Sequence, residues 1–323
     1  VWSFTSTNLS PELYSYNLIL DGVKIVDPGS VYITRDITSE TNIFILSDKK
    51  GDCGDLYTVN EVPHGNVSKV WYDSPTLKMQ RRMTVYTPAG YDKGKDYPVL
   101  YLLHGAGGDE DAWTTLGRAQ HILDNLIATG KAKPMVVVMT NGNPNCQAAP
   151  GEWSAGQYIP SFYGYQGAKP AATMDESFPD VMNYVESHYK VAKDKAHRAI
   201  CGLSMGGGHS FDISRRFPTK FDYIGLFSAG LHVSTTGDFR NDFYKQLQGN
   251  EEAKAQLATL FKNKPKLYWI GMGKTDFLYK SSTDLRRYFD EKGYKYTYME
   301  TEGGHIWRNW RVYLTEFAQK IFK

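Results

Sequence analysis

Five residues near the middle of the chain, Gly202-Leu203-Ser204-Met205-Gly206, have the types and spacing of a nucleophile on a sharp turn. The apolar run Ala199–Leu203 precedes the serine, and a helix-like pattern opening on Gly206, Gly207 and Gly208 follows it. A strand-to-helix turn this tight leaves no room for side chains beside the nucleophile, so glycine flanks it. A phosphate-binding loop is excluded, because no Gly-Lys-Ser/Thr follows.

A serine hydroxyl attacks only with a base beside it, and on a parallel α/β sheet the order along the chain is Ser, then Asp or Glu, then His. Three histidines follow Ser204: His209, His232 and His305. His209 lies on the elbow's own helix, and His232 leaves little room for an acid before it. His305 stands in "TEGGHIW", at the end of the last strand pattern. Asp276 ends the preceding strand pattern in "GMGKTDF", 29 residues earlier. This places the acid at Asp276, with Asp238 and Asp242 as the alternatives. Donors for an oxyanion are expected from the amide of Met205 and, across the site, from "HGAGG", where Ala106 is favoured. His104 precedes the nucleophile and is expected to be structural.

These residues need a scaffold that gathers strand ends. Apolar runs at "RRMTVYTP", "YPVLYLLHG", "PMVVVMTNG", "RAICGLS", "YIGLFSAG", "KLYWIGMG" and "KYTYMETEGG" alternate with amphipathic stretches such as "AQHILDNLIATG", "SFPDVMNYVESHY" and "STDLRRYFDEKG". The pattern predicts an α/β fold: a mostly parallel sheet covered by helices on both faces, with working residues at the strands' carboxyl ends. Before it, residues 1–50 read as about four short strands with turns at Asp21-Gly22 and Asp27-Pro28-Gly29, a small partial β-sandwich. Residues 51–68 are Gly-rich and polar and read as a linker, and residues 69–323 as the catalytic domain.

Composition removes other classes. A net charge of +2 gives no reason to expect nucleic acid as a partner, and no apolar run reaches the length of a membrane helix. Cys53, Cys146 and Cys201 lack zinc-type spacing, so no metal site is expected. The chain begins with Val1, which reads as a processed or trimmed product. The stretch 141–173 has neither helix nor strand period and carries Trp153, Tyr158, Phe162, Tyr163 and Tyr165. It leaves a strand's carboxyl end, so Trp153, Tyr158 and Tyr163, with Trp307 just beyond His305, are the expected substrate-binding rings.

Four motifs in order, "LLHGAGG", "GLSMGG", "GKTD" and "GGHIWRNWR", resemble the esterase D-like α/β-hydrolases, in particular carbohydrate esterase family 1, over residues 62–323. That family includes feruloyl and acetylxylan esterases. The resemblance implies Ser204 as nucleophile, His305 as base and Asp276 as the acid that orients it, with no cofactor. It also implies a secreted or periplasmic enzyme acting on feruloylated arabinoxylan or its oligosaccharides. Residues 13–28 resemble part of a family-48 carbohydrate-binding module. Enterochelin esterases also carry an early-set domain in front, so a siderophore esterase stays open beside an acetylxylan esterase and an inactive glycan-binding protein. The sequence leaves the oligomeric state open.

Overall fold

A computed structural model describes residues 5–6, 9–153, 170–233 and 242–323. Eight strands form its main sheet: β6 (Asn66–Ser74), β7 (Met79–Thr87), β8 (Val99–Leu103), β9 (Val136–Thr140), β10 (Arg198–Leu203), β11 (Tyr223–Phe227), β12 (Leu267–Gly273) and β13 (Thr297–Thr301). Their order is β13-β12-β11-β10-β8-β9-β7-β6. β8 to β13 run parallel, and β7 and β6 turn antiparallel at one edge. The order reverses between β8 and β10. Such a switch point opens a crevice at the strands' carboxyl ends.

Alternation along each strand feeds two cores. Val99, Tyr101 and Leu103 of β8, with Ile200 of β10, face α4 (Met174–His188), α5 (Met205–Arg216), α7 (Glu251–Lys262) and α8 (Tyr279–Lys292). Leu100 and Leu102, with Ala199, Cys201 and Leu203, face α3 (Ala119–Ala128) and α9 (Trp307–Ala318). Two short helices, α2 (Ala112–Thr115) and α6 (Phe243–Gln248), lie among these elements. The expected α/β fold is present, and every strand and helix quoted for it from the sequence has its counterpart.

The front of the chain departs from expectation. β1 (Glu12–Tyr16), β5 (Ser39–Leu46) and β4 (Ile33–Asp36) form a three-stranded antiparallel sheet. β2 (Leu18–Leu20) and β3 (Val23–Ile25) form a separate hairpin, turned by Asp21 and Gly22 at positive φ. Residues 51–68 are not a linker. They hold α1 (Cys53–Tyr57), capped by Asp52 and packed on α3, and the first residues of β6. Tyr57 is buried, and Gly54 sits so close to the Leu46 carbonyl that a Cβ would be 1.7 Å from its oxygen.

Nor is the small sheet a separate body. Leu13 and Ile43 belong to the same apolar cluster as Leu314 and Phe317 of α9. The Arg311 guanidinium donates to Glu12 Oε1 at 3.1 Å, to the Leu13 carbonyl at 3.2 Å and to the Leu116 carbonyl at 3.0 Å. Glu12 and Arg311 are both buried, only 2% and 4% exposed. Removing one partner of such a pair strands the other charge, at a cost of about 3–5 kcal/mol. Arg311→Ala is therefore expected to lower unfolding free energy by roughly that amount, as measured by urea denaturation. A loss under about 1 kcal/mol, the range of exposed ion pairs, would mean that Arg308, whose Nε lies 3.4 Å from Glu12 Oε2, compensates there.

Candidate active site

Ser204 stands between β10 and α5 with φ of 52° and ψ of −116°. This backbone is strained for a residue with a side chain, and strain of this kind costs on the order of 1–3 kcal/mol. Two glycines permit it. A Cβ on Gly202 would lie 2.5 Å from the Gly206 carbonyl oxygen, and one on Gly206 would lie 2.5 Å from the Leu103 and His104 carbonyl oxygens. The Ser204 amide donates to the Phe227 carbonyl at 2.9 Å, and its carbonyl accepts from Gly230 at 2.8 Å. The turn is thus bonded to the end of β11.

Asp276 and His305 meet because β12 and β13 are parallel neighbours whose ends stay paired. Beyond the strands, Lys274 donates its amide to the Thr301 carbonyl at 2.9 Å, and Thr275 to Gly303 at 3.0 Å. The Asp276 carboxylate then lies 2.9 and 3.1 Å from His305 Nδ1. Asp276 is buried and also accepts the Leu278 amide at 2.9 Å. The His305 ring packs edge-on to Trp310, with centroids 4.9 Å apart. With Nδ1 engaged, Nε2 is the ring nitrogen left for a substrate or a nucleophile.

Ser204 and His305 line one cavity of about 1350 Å³, together with Gly105, Ala106 and Trp307. Ala106 follows Gly105 in a turn closed by Gly108 N–H to the Gly105 carbonyl at 3.1 Å, so the turn does not use the Ala106 amide. Met205 is the first residue of α5, where a helix leaves its amides unspent and its dipole favours negative charge. The Met205 side chain points back towards Gly142, where an added Cβ would lie 3.1 Å from its methyl carbon. A serine, an acid-oriented imidazole and backbone amides at a helix start can together carry out acyl transfer.

The other sequence candidates fall elsewhere. His104 is structural: Nε2 accepts the Gly142 amide at 2.7 Å, and Nδ1 lies 2.7 Å from the Gly105 carbonyl. His209 is half-buried beside Met205 and His104, and desolvation followed by the neighbouring His104 pulls its pKa down to about 4. His232 is exposed. Asp242 caps α6 and lies 3.6 Å from Lys245, while Asp238 lies outside the described residues. Trp307 lines the cavity, edge-on to Trp113 at 5.3 Å and to Trp310 at 5.2 Å. Trp153 is half-buried and is not among the residues that line this cavity. Tyr158 and Tyr163 lie outside the described residues.

Three groups of residues near the site carried no legible signal. Buried Arg81 donates to the carbonyls of Asn141 at 2.7 Å, Asn143 at 2.8 Å and Cys146 at 3.2 Å, tying down the segment after β9. Glu110 accepts from Arg82 at 2.6 Å, from Asn141 at 2.9 Å and from the Ala149 amide at 2.9 Å. Leu13, Tyr14 and the strands β4 and β5 form a wall of the cavity. In sequence these are ordinary surface charges and strand residues; only their place in the folded chain distinguishes them.

Fold and site together define an α/β-hydrolase of the serine type. The Esterase family model matches residues 74–321, and the chain belongs to that family. An endo-1,4-beta-xylanase/feruloyl esterase of Xylanibacter ruminicola is 31% identical over the whole of this chain, which spans 40% of that protein's length. A solved ferulic acid esterase, 26% identical, superposes with a TM-score of 0.63 over 79% of this chain and 97% of its own. A CE1 ferulic acid esterase of Anaeromyces mucronatus, solved with ferulic acid, shares the fold with a TM-score of 0.63 at 23% identity, covering 86% of this chain and 98% of its own. The resemblance to carbohydrate esterase family 1 is borne out. The family-48 module resemblance over residues 13–28 gains no support from these relatives.

Ser204→Ala is expected to fold normally and to lose about 10⁴-fold or more in kcat on a chromogenic acetate ester. Asp276→Asn, which misorients the ring, is expected to lose about 10³- to 10⁴-fold. Turnover within 10-fold of the parent in a folded Ser204→Ala protein would remove the serine from the chemistry.

The folded pKa of His209 lies below its unfolded value of about 6.5, so its contribution to stability is full above that value. It is lost as pH falls through about 4. Thermal scans from pH 7 to 4 should therefore show a falling Tm, and His209→Gln should make that fall shallower. An identical slope in the variant would show that His209 does not titrate with folding.

Proposed function

We propose that this chain is a serine esterase that releases hydroxycinnamoyl groups, ferulate foremost, from plant cell-wall xylan. The observation that carries the reading is the Asp276–His305 pair opening on the same cavity as Ser204. His305 takes the Ser204 proton as the hydroxyl oxygen attacks the ester carbonyl. The amides of Met205 and Ala106 hold the oxyanion. His305 returns the proton to the departing sugar alcohol, and water then frees the acid by the same steps.

Substrate class follows from the pocket and the relatives. A cavity of about 1350 Å³ is larger than an acetyl group requires and has room for a ring-bearing acyl group with a sugar beside it. Tyr14, Tyr32, Trp307 and Trp310 supply flat faces for both. The relative with a feruloyl esterase name aligns over the whole chain, which supports the same acyl group here. A polymer of this kind places the work outside the cytoplasm, in agreement with a secreted or periplasmic enzyme. Among the described residues, no helix is long and apolar enough to cross a membrane.

A siderophore esterase draws no support from the charges. The cavity's Arg35, Lys69, Arg308 and Arg311 are paired with Asp109, Asp111 and Glu12, and Arg118 donates to the Tyr57 carbonyl and the Tyr32 hydroxyl, so among the described residues no cluster of spare cations awaits a ferric catecholate. The deciding experiment is digestion of feruloylated, acetylated arabinoxylan with chromatography of the released acids. Ferulate is expected as the main product. Acetate alone would make the protein an acetylxylan esterase, and no acid from any ester would leave it a binding protein.

A further inference from the structure

The β4–β5 turn lies outside the matched family region, which begins at residue 74, yet it reaches the catalytic cavity. Asp36 pairs with Ser39 across the turn, leaving Ile37 and Thr38 as its two central residues. Ile37 has φ of 55°. A two-residue hairpin with positive φ at its first position ordinarily takes glycine there, and a β-branched side chain is an outlier. Such strain persists only where surrounding contacts fix it. Here Arg35 fixes it, donating to the Ile37 carbonyl at 2.8 Å and to Asp109 at 2.6 Å.

The turn touches both halves of the site. On one side the Ile37 side chain covers Gly107, where a Cβ would lie 3.0 Å from Ile37 Cγ1. Gly107 belongs to the loop of Ala106, and a Cβ on Gly105 in the same loop would lie 3.2 Å from the Ser204 Cβ. On the other side Asp36 lines the cavity together with Trp307, two residues beyond His305. The turn therefore bridges from the oxyanion-loop side to the base side across the mouth over Ser204. Asp36 faces open space, but neighbouring protein atoms crowd it enough to push its carboxyl above the ordinary range. An ionised carboxylate has about four acceptor positions, more than the one indole N–H beside it can fill.

We propose that this turn is a substrate subsite: Asp36 accepts a hydrogen bond from a hydroxyl of the ester, and Ile37 forms the apolar wall beside it. The proposal rests on reading the cavity as the ester pocket. The hydroxyl has two sources, the phenol of the acyl group or the sugar of the alcohol. Asp36 acts on specificity, since a site built to receive a hydroxyl discriminates against esters that lack it.

The test compares kcat/KM for methyl ferulate, methyl 3,4-dimethoxycinnamate and feruloylated arabinose in the parent, Asp36→Ala and Ile37→Gly proteins. If the phenol is recognised, Asp36→Ala lowers the ferulate-to-dimethoxycinnamate ratio about 10-fold. If the sugar is recognised, the two methyl esters keep their ratio, and the preference for feruloylated arabinose over methyl ferulate falls by about 10-fold instead. Equal effects on all three esters in the folded variant would overturn the assignment, because that is what a merely structural Asp36 gives. Ile37→Gly should raise Tm by relieving the backbone while lowering kcat/KM for methyl ferulate. An unchanged kcat/KM there would overturn the apolar wall. If the parent cleaves acetylated xylo-oligosaccharides but no feruloyl ester, the feruloyl reading fails by itself. Asp36 is then judged by the same ratio between an acetylated xylo-oligosaccharide and p-nitrophenyl acetate.

Discussion

The positive φ of Ser204 is the constraint on which the rest of the site depends. A serine with helical or extended backbone at the end of β10 would direct its hydroxyl along the sheet or into a core. The turn that lifts it into the crevice brings backbone against backbone: Gly202 against Gly206, and Gly206 against the carbonyls that end β8. It also fixes where α5 begins, and with it the position of the Met205 amide. The strain of the elbow is held by amide bonds to β11 and by close packing on both sides, so little of it can relax without separating the central strands.

Around this turn the sheet acts as a ruler. Parallel strands that end in register bring together loops distant in sequence, and the paired amides beyond β12 and β13 carry that register out to Asp276 and His305. Burial of Asp276 removes competing water from the carboxylate, so the bond to His305 Nδ1 sets the orientation of the ring. Behind the elbow, His104 links the Gly105 loop to Gly142 with both ring nitrogens in use. This bond ties the loop carrying Ala106 to the segment after β9, which Arg81 and Glu110 hold from beneath.

The front sheet extends the same logic to residues outside the common fold. Its inner residues join the apolar layer over α3 and α9, and its buried ion pair closes on the last helix. A small sheet fixed this way can place a strained turn at the mouth of the pocket with the precision of a core element. Arg35 and Asp109 complete the join on the outer side.

The sequence alone determined the parts whose signals are local. The glycines around Ser204 report a turn because only backbone contact needs them. The continuous apolar runs of β8 to β12 report a buried sheet because each residue on either face meets a core. The chain order of serine, acid and histidine named Ser204, Asp276 and His305 before any geometry was known. Tertiary structure decided what depends on partners. β6 was hidden because an edge strand with most of its residues exposed needs no apolar pattern. α1 was hidden because five residues are too few to show a helical period. The anchoring of the segment after β9 was hidden because buried Arg81 and Glu110, which hold it, look like surface charges in the sequence. The role of the front sheet was hidden for the same reason. Periodicity tells which face of a strand is buried, but the element that buries it, here a helix some 300 residues away as in the Glu12–Arg311 pair, is fixed only when the chain folds.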